Sequence, residues 1–329
     1  MSARDMGIDL GTANTLVYLK SKGIVLNEPS VVAIGDDGKI LAVGNEAKQM
    51  LGRTHSGIRA IRPLKDGVIA DFEAAGAMLG YFITKALGKK RGIKPRAVIC
   101  VPSDISEVEQ KAVMEAAIRA GVRSVCIMKE PMAAAIGAGL DVMSCEGSMV
   151  VDIGGGTSEV AVISLGGIVS HKTIRTAGDS HNEAISSFIR KKYNIHSGIS
   201  NAEKVKIQIG TVRKQSRDAK EIVSGRSSVS GMPSSTYVTG GDVRSALTSQ
   251  ISQLIEAIKA VLEETPPELS ADILKNGITL TGGGALLDGL SLAISEATGI
   301  ETRVAEDPLS CVVLGAGSFL CENSKDIFK

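Results

Sequence analysis

Aromatic side chains are nearly missing from this chain: they make up 3% of 329 residues, with four Tyr, five Phe and no Trp. A core must then be built from Ala, Val, Ile and Leu, and no aromatic platform is offered to single-stranded nucleic acid. An excess of one charge is missing too. Lys plus Arg number 37 and Asp plus Glu 36, a net charge of +1, so no global field draws the chain to nucleic acid. No apolar run approaches the roughly 20 residues of a membrane span. The opening Met1-Ser2-Ala3-Arg4-Asp5-Met6 lacks the apolar centre of a signal peptide. The five cysteines, Cys100, Cys126, Cys145, Cys311 and Cys321, are odd in number and form no C-x-x-C. They read as reduced core residues of a cytosolic protein, not disulfides or metal ligands. The four histidines show no ligand spacing. Neither a G-x-x-x-x-G-K-[ST] loop nor a strand-to-helix G-x-G-x-x-G is present, which excludes the two commonest nucleotide motifs.

What is present is one pattern written twice. Gly7-Ile8-Asp9-Leu10-Gly11-Thr12-Ala13-Asn14-Thr15 runs into the apolar Leu16-Val17-Tyr18-Leu19. Val150-Val151-Asp152-Ile153-Gly154-Gly155-Gly156-Thr157-Ser158-Glu159 runs into Val160-Ala161-Val162-Ile163. Each is an apolar strand ending near an Asp, a glycine turn with hydroxyl residues, and a second apolar strand. Glycine lets backbone N–H groups approach a phosphate, and an Asp beside phosphates suits Mg²⁺, which prefers oxygen ligands and keeps its waters. A single glycine turn is an ordinary hairpin; its repetition 143 positions apart points to a clamp on a nucleoside triphosphate.

The length allows roughly two domains, and the element order alternates. Residues 5–43 read as several β segments and 44–51 as a short helix. Helix is expected at 73–88, strand at 96–101, helix at 106–120 behind a Ser106/Glu109 capping box, strand at 122–128 and helix at 131–139. After the second hairpin come a strand at 168–176 and a helix at 180–193. Residues 194–240 are polar and read as an inserted subdomain. A long helix spans 241–262 and ends near Pro266-Pro267; a strand follows at 278–281, a helix at 286–298, a segment at 299–304 leading into a strand, and a closing helix at 308–323. This βαβ rhythm implies parallel strands covered by helices, with a ligand cleft between two α/β halves.

Two further spots carry chemistry. Glu130 precedes Pro131 at a strand-to-helix junction. On the residues alone it is first a helix-terminal charge favoured by the macrodipole, with activation of water as the sharper alternative. Glu203 and Lys206 stand at i and i+3 and share a helix face; on the residues alone they are a solvated ion pair.

Asp9-Leu10-Gly11-Thr12, Asp152-Ile153-Gly154-Gly155-Gly156-Thr157 and Thr281-Gly282-Gly283-Gly284 are similar, in order, to the two phosphate motifs and the adenosine motif of the actin, hexokinase and heat-shock chaperone superfamily. Within it the chain resembles the MreB family of bacterial actins from about residue 5 to 320, including the strings Gly23–Ile34, Ile61–Asp71, Glu130–Gly137 and Thr265–Leu269. The resemblance implies an actin-like ATPase fold: two related RNase H-like domains, each with a smaller insertion. The halves would be 1–140, with an insertion at about 33–73, and 141–329, with an insertion at about 181–240 and a C-terminal helix returning to the first half. It implies ATP and Mg²⁺ as cofactors. Asp9 and Asp152 would flank the metal through water. Gly11, Thr12, Ala13 and Asn14 would cradle the phosphates on one side, and Gly154, Gly155, Gly156 and Thr157 on the other. Glu130 would act as the catalytic base, with the Thr157 hydroxyl orienting the attacking water. Glu203 would meet the ribose, the Lys206 stem would cover the base, and Gly282, Gly283 and Gly284 would let adenine approach the backbone.

The resemblance further implies slow ATP hydrolysis, a head-to-tail polymer with antiparallel paired protofilaments, cell-shape and cell-wall synthesis proteins as partners, and a cytoplasmic location at the inner face of the membrane. Departures are visible. There is no amphipathic amino-terminal helix, and the loop used by relatives for membrane insertion offers Lys89, Lys90, Arg91 and Lys94 but only Ile93 as an apolar residue. Attachment would then be electrostatic, to an anionic surface. Ser180-His181-Asn182 replaces a more acidic stretch, and Gln208 stands where Glu is common. A metabolite kinase and a chaperone-type ATPase of the same superfamily are the alternatives; no string marks an acceptor pocket, and no substrate-binding domain follows.

Overall fold

A computed structural model describes residues 5–88, 94–213 and 219–322. Two five-stranded sheets share one topology. In the first, Met6–Leu10, Asn14–Leu19 and Gly23–Pro29 form an antiparallel meander; Arg96–Val101 runs parallel to Met6–Leu10, and Ser124–Lys129 runs parallel outside it. The second repeats this order with Ser148–Ile153, Ser158–Ser164 and Gly167–Ile174, then Ile278–Thr281 and Thr302–Val304. The expected α/β architecture with two related halves is what the chain adopts.

The strands read as near-continuous apolar runs because both faces of each sheet are covered. Alternate residues enter different cores, as the period of two requires. Ala97, Ile99 and Val101 pack with Met78, Leu79 and Phe82 of the helix Phe72–Leu87 and Val113 of the helix Glu107–Arg119. Val98 and Cys100 face the other way, into a cluster with Ala133, Ala134, Val312 and Ala316. From the second sheet, Val150, Ala161 and Ile163 enter that same cluster, while Met149, Val151 and Ile153 turn to the core under the helix Gly240–Glu264. The helices Glu130–Gly137 and Cys311–Glu322 therefore lie between the two sheets as a shared layer.

Local signals act as their chemistry dictates. Asp71 accepts from the Ala74 amide at 3.0 Å and starts the helix at Phe72. Ser106 and Glu109 form the reciprocal capping box. Two small three-stranded sheets stand apart: Val32–Gly35 with Ile40–Val43 and Ile58–Ile61, beside the helix Asn45–Met50, and Ile195–His196 with Lys220–Ser227 and Pro233–Thr239, beside the helix Ile199–Ile209.

Several expectations need correction. The helix expected at 286–298 is a 3₁₀ turn at Gly283–Leu286 followed by a helix at Leu290–Thr298, parted by Gly289 with φ 80°. Residues Pro267–Asn276 form a helix that was not anticipated; the fixed φ of proline suits a first turn as well as a break. The last helix begins at Cys311, not 308, and the strand expected from 122 begins at Ser124. Cys145 is exposed, in a turn, and is no core residue. The basic loop at 89–93 and the side chain of Cys321 lie outside the described residues.

Candidate functional site

The repeated strands bring the repeated Asp residues to one cleft. Asp9 pairs in register with Cys100 on the neighbouring parallel strand, and Asp152 pairs with Thr281. The Thr281 hydroxyl donates to Asp152 Oδ1 at 2.7 Å. Each Asp is one residue short of its glycine turn, so both carboxylates sit at the cleft floor, beneath the turns.

The turns themselves meet. A Cβ on Gly155 would lie 2.6 Å from that of Ala13, and one on Gly156 would lie 2.6 Å from the Thr12 hydroxyl. Only glycine permits the approach. The Thr12 hydroxyl accepts from the Gly67 amide at 3.3 Å, which brings a third loop over the same point, against the Thr157 methyl. The first turn is held from behind, where Ser30 Oγ donates to the Gly11 carbonyl at 2.6 Å and the Ser30 amide donates to that of Ala13 at 3.0 Å. In the second turn, the Gly154 amide donates to the Thr157 carbonyl at 2.9 Å. The Gly178 and Asp179 amides, opening the helix Gly178–Tyr193, donate to the carbonyls of Gly154 and Gly155 at 3.1 and 2.8 Å.

Four carboxylates crowd this floor, and all resist ionisation. Burial, then the charge of Asp152, pushes Asp9 up to about 7; Asp9 keeps some surface open to the cleft, so water there softens the effect. Burial pushes Asp152 up to about 6 against the opposing hydrogen bond from Thr281. Glu130, the first residue of its helix and 8% exposed, is held well above the usual carboxylate range by burial and then by Glu159, Asp9 and Asp152. Burial pushes Glu159 up to about 7, although the Ser103 hydroxyl and amide donate to it at 2.8 and 3.0 Å.

Such a group fits a bound divalent cation. Uncompensated buried carboxylates are costly, and a cation would relieve them. Among the described residues no three His, Cys, Asp or Glu side chains converge on a point. That suits Mg²⁺, which is held by one or two carboxylates with waters and substrate phosphates, and does not suit a metal caged by protein alone.

The residues expected at the nucleoside lie beside the helix that opens at Gly178. Lys206 is half-buried, and the loss of water around it lowers its pKa; it donates to the Gly178 carbonyl at 2.9 Å. Glu203 faces Lys48 at 3.7 Å. Burial, then Lys206, lowers the neighbouring His181 to about 4, so it is neutral at physiological pH. Gly282 and Gly284 are small for a reason of their own: a Cβ on either would strike Ile153, at the base of the second turn. Gly282 also requires φ +77°.

Sequence reasoning gave no individual role to Glu159, Ser103, Thr281 or the pair Arg62–Asp179. The repeat held the signal for Glu159. In the first hairpin Asp9 pairs with Leu16; in the second Asp152 pairs with Glu159. An acid in the slot of an apolar residue marks a position under another constraint.

A family model described as MreB/Mbl protein matches residues 3–327. The cell shape-determining protein Mbl of Bacillus cereus is 50% identical over 321 residues, covering 97% of this chain and 96% of its own. Crystal structures of MreB5 of Spiroplasma citri are similar: one bound to ADP has a TM-score of 0.93 at 37% identity over 98% of this chain and 97% of its own, and one bound to AMPPNP has 0.94 at 36% over 99% of each. A MamK double helical filament has a TM-score of 0.83 at 25% identity, covering 96% of this chain and 98% of its own. The family match spans both halves, which disfavours the metabolite-kinase and chaperone alternatives. The chain belongs to the MreB/Mbl family of actin-like proteins.

Proposed function

We propose that this chain is an ATP-binding, slowly ATP-hydrolysing bacterial actin. One observation carries the reading: four enclosed carboxylates whose pKa values are all raised by burial, beneath two glycine turns that touch. Bound Mg²⁺ would supply the positive charge that this floor lacks, shared between the carboxylates and the phosphates of ATP. The turns Gly11 to Asn14 and Gly154 to Thr157 hold the phosphates from two sides, and Asp9 and Asp152 would hold the metal through its water shell. Bound Mg²⁺ neutralises phosphate charge. Glu130 takes a proton from the attacking water, for which a carboxyl of raised pKa is a better acceptor when ionised. Thr157 orients that water. Glu203 and Lys206 hold the nucleoside, with Gly282, Gly283 and Gly284 beside the base. The MreB5 structures bound to ADP and to AMPPNP support the nucleotide part.

In this reading the halves divide at 140/141, and the small sheets near 33–73 and 181–240 are insertions that flank the cleft. The chain polymerises head to tail, a heterologous contact that does not close. Its protofilaments pair antiparallel and set cell shape by positioning cell-wall synthesis proteins at the inner face of the membrane. The MamK filament supports the polymerisation and the cell-shape name of Mbl the cell-shape role. Among the described residues no helix is long and apolar enough to cross a membrane, and attachment falls to Lys89, Lys90, Arg91, Ile93 and Lys94.

Two substitutions test the chemistry. Asp152→Ala weakens nucleotide binding and turnover together. Glu130→Gln leaves ATP affinity within a few-fold and lowers hydrolysis by roughly 10²-fold, the size of a general-base effect. Wild-type phosphate release by either variant refutes the assignment of that residue.

A further inference from the structure

The cleft is bridged at its mouth by a row of charges of which the nucleotide reading uses only Glu203 and Lys206; Arg62, Asp179 and Lys48 have no part in it. Arg62 follows the strand Ile58–Ile61 of the first small sheet. Its guanidinium donates to Asp179 Oδ1 at 2.6 Å, with each side chain only a quarter exposed. Asp179 is the second residue of the helix Gly178–Tyr193, and its own amide donates to the Gly155 carbonyl. One residue thus takes Arg62 from across the cleft with its side chain and grips the second phosphate turn with its backbone. A second pair runs alongside. Lys48, on the helix Asn45–Met50, faces Glu203, on the helix Ile199–Ile209, at 3.7 Å. Lys206 lies between the two, one helical turn from Glu203, and donates to the Gly178 carbonyl next to Asp179. The charges alternate: Lys48, Glu203, Lys206, Asp179, Arg62.

Both ends of this row belong to the first small sheet and its helix, and the middle belongs to the second half. Opening the cleft separates the row at two places. Closing it seats Arg62 on the helix that buttresses Gly154 and Gly155. A surface ion pair is worth little, but a partly buried, charge-assisted bond held by packed backbone on one side is worth more.

We propose that Arg62 and Asp179, backed by Lys48 and Glu203, form a latch across the cleft mouth that retards nucleotide release and ties cleft closure to the second phosphate turn. This rests on the nucleotide reading above. Arg62 and Lys48 are positioning residues: they act through Asp179 and Glu203 and touch no reacting atom. Entry precedes closure, so the latch acts on dissociation.

The experiment is a stopped-flow chase of a fluorescent ATP analogue with Mg²⁺ from the full chain, at low and high salt, for wild type, Arg62→Ala, Asp179→Ala, the double variant and Lys48→Ala. Circular dichroism confirms that each variant is folded. Arg62→Ala and Asp179→Ala each raise the dissociation rate by roughly tenfold, the size of one charge-assisted hydrogen bond. The double variant releases no faster than the faster single, because both remove one interaction. Lys48→Ala has a smaller effect, its pair being longer and more exposed. High salt speeds release from wild type toward the variant rates, a readout that general loss of packing would not move. Release from Arg62→Ala within twofold of wild type, fully multiplicative effects in the double variant, or a larger effect of Lys48→Ala than of Arg62→Ala overturns the latch. Failure of wild type to bind the analogue overturns the nucleotide reading and the latch with it, whereas binding with unaltered release overturns the latch alone.

Discussion

Glu159 stands where the repeat of the two hairpins supplies Leu16, and its carboxyl is fully enclosed. With Asp9, Glu130 and Asp152 it makes the cleft floor a store of unfavourable charge. The sign of the consequence follows from where the protons sit. Asp9 moves from a usual value of 3.8 to about 7, so between those values the folded state keeps a proton that the unfolded chain has released. Stability from this group is then highest at acid pH and falls as pH rises through about 7. In metal-free protein, Asp9→Asn removes the cost. Its stability gain over wild type is small near pH 4 and reaches about 2–4 kcal/mol above pH 7. Thermal unfolding in chelator across that range measures the difference. Comparing variant with wild type cancels the opposite slope of His181, whose pKa is lowered to about 4. A gain that is flat or shrinks with pH refutes the account. Nucleotide with Mg²⁺ reverses the ranking, since wild type alone gains the ligand's linkage energy in full.

Two helices between the sheets depend on missing side chains. On the helix Glu130–Gly137, a Cβ at Gly137 would land on the Cys311 carbonyl; on the helix Cys311–Glu322, a Cβ at Gly315 would land on the Ala133 carbonyl. The contact is reciprocal, Ala133 and Gly137 against Cys311 and Gly315, each pair four residues apart. Backbone meets backbone, and the two halves share a thin, stiff layer. Gly137→Ala and Gly315→Ala each destabilise by roughly 3 kcal/mol, the upper range for overpacking a rigid contact. Gly76→Ala does the reverse. Its Cβ would sit an ordinary 3.9 Å from that of Ala116, and relief from the helix cost of glycine adds about 0.5–1 kcal/mol. Chemical denaturation of the three variants checks both signs. The helices themselves were legible: Pro131 in a first turn and the apolar run after Cys311 announce them. Their crossing was not, because a glycine in a helix reads locally as a weak point, and only a neighbour far along the chain, Cys311 for Gly137 and Ala133 for Gly315, explains it.

For the whole molecule, the proposed polymerisation and the proposed membrane attachment become one problem. Ile93 alone contributes about 1.5–3 kcal/mol if buried in lipid. Lys89, Lys90, Arg91 and Lys94 add about 4 kcal/mol at an anionic surface, less as salt rises. A monomer so held leaves readily. A filament repeats the loop at each subunit, and avidity makes weak contacts durable. Co-sedimentation with liposomes therefore needs ATP-driven assembly and anionic lipid, and falls steeply with salt. A Lys89→Ala/Lys90→Ala/Arg91→Ala variant pellets as filament without liposomes yet loses liposome binding. Equal binding by wild type and variant, or equal binding to neutral liposomes, removes the loop as an electrostatic anchor.

The sequence by itself determined what is local or repeated. Asp9 and Asp152, each before a glycine turn between apolar strands, disclosed the duplication and the phosphate-type hairpins; Ser106 and Pro131 placed helix starts, since a cap is set within one turn of chain. Only the tertiary structure decided what depends on approach between distant segments. It put Ser103 on Glu159, Arg62 on Asp179, Ile153 against Gly282 and Gly284, and Gly137 on Cys311. No period or motif records these contacts, because each joins residues that the chain separates and the packing of two similar halves around one pair of helices brings together.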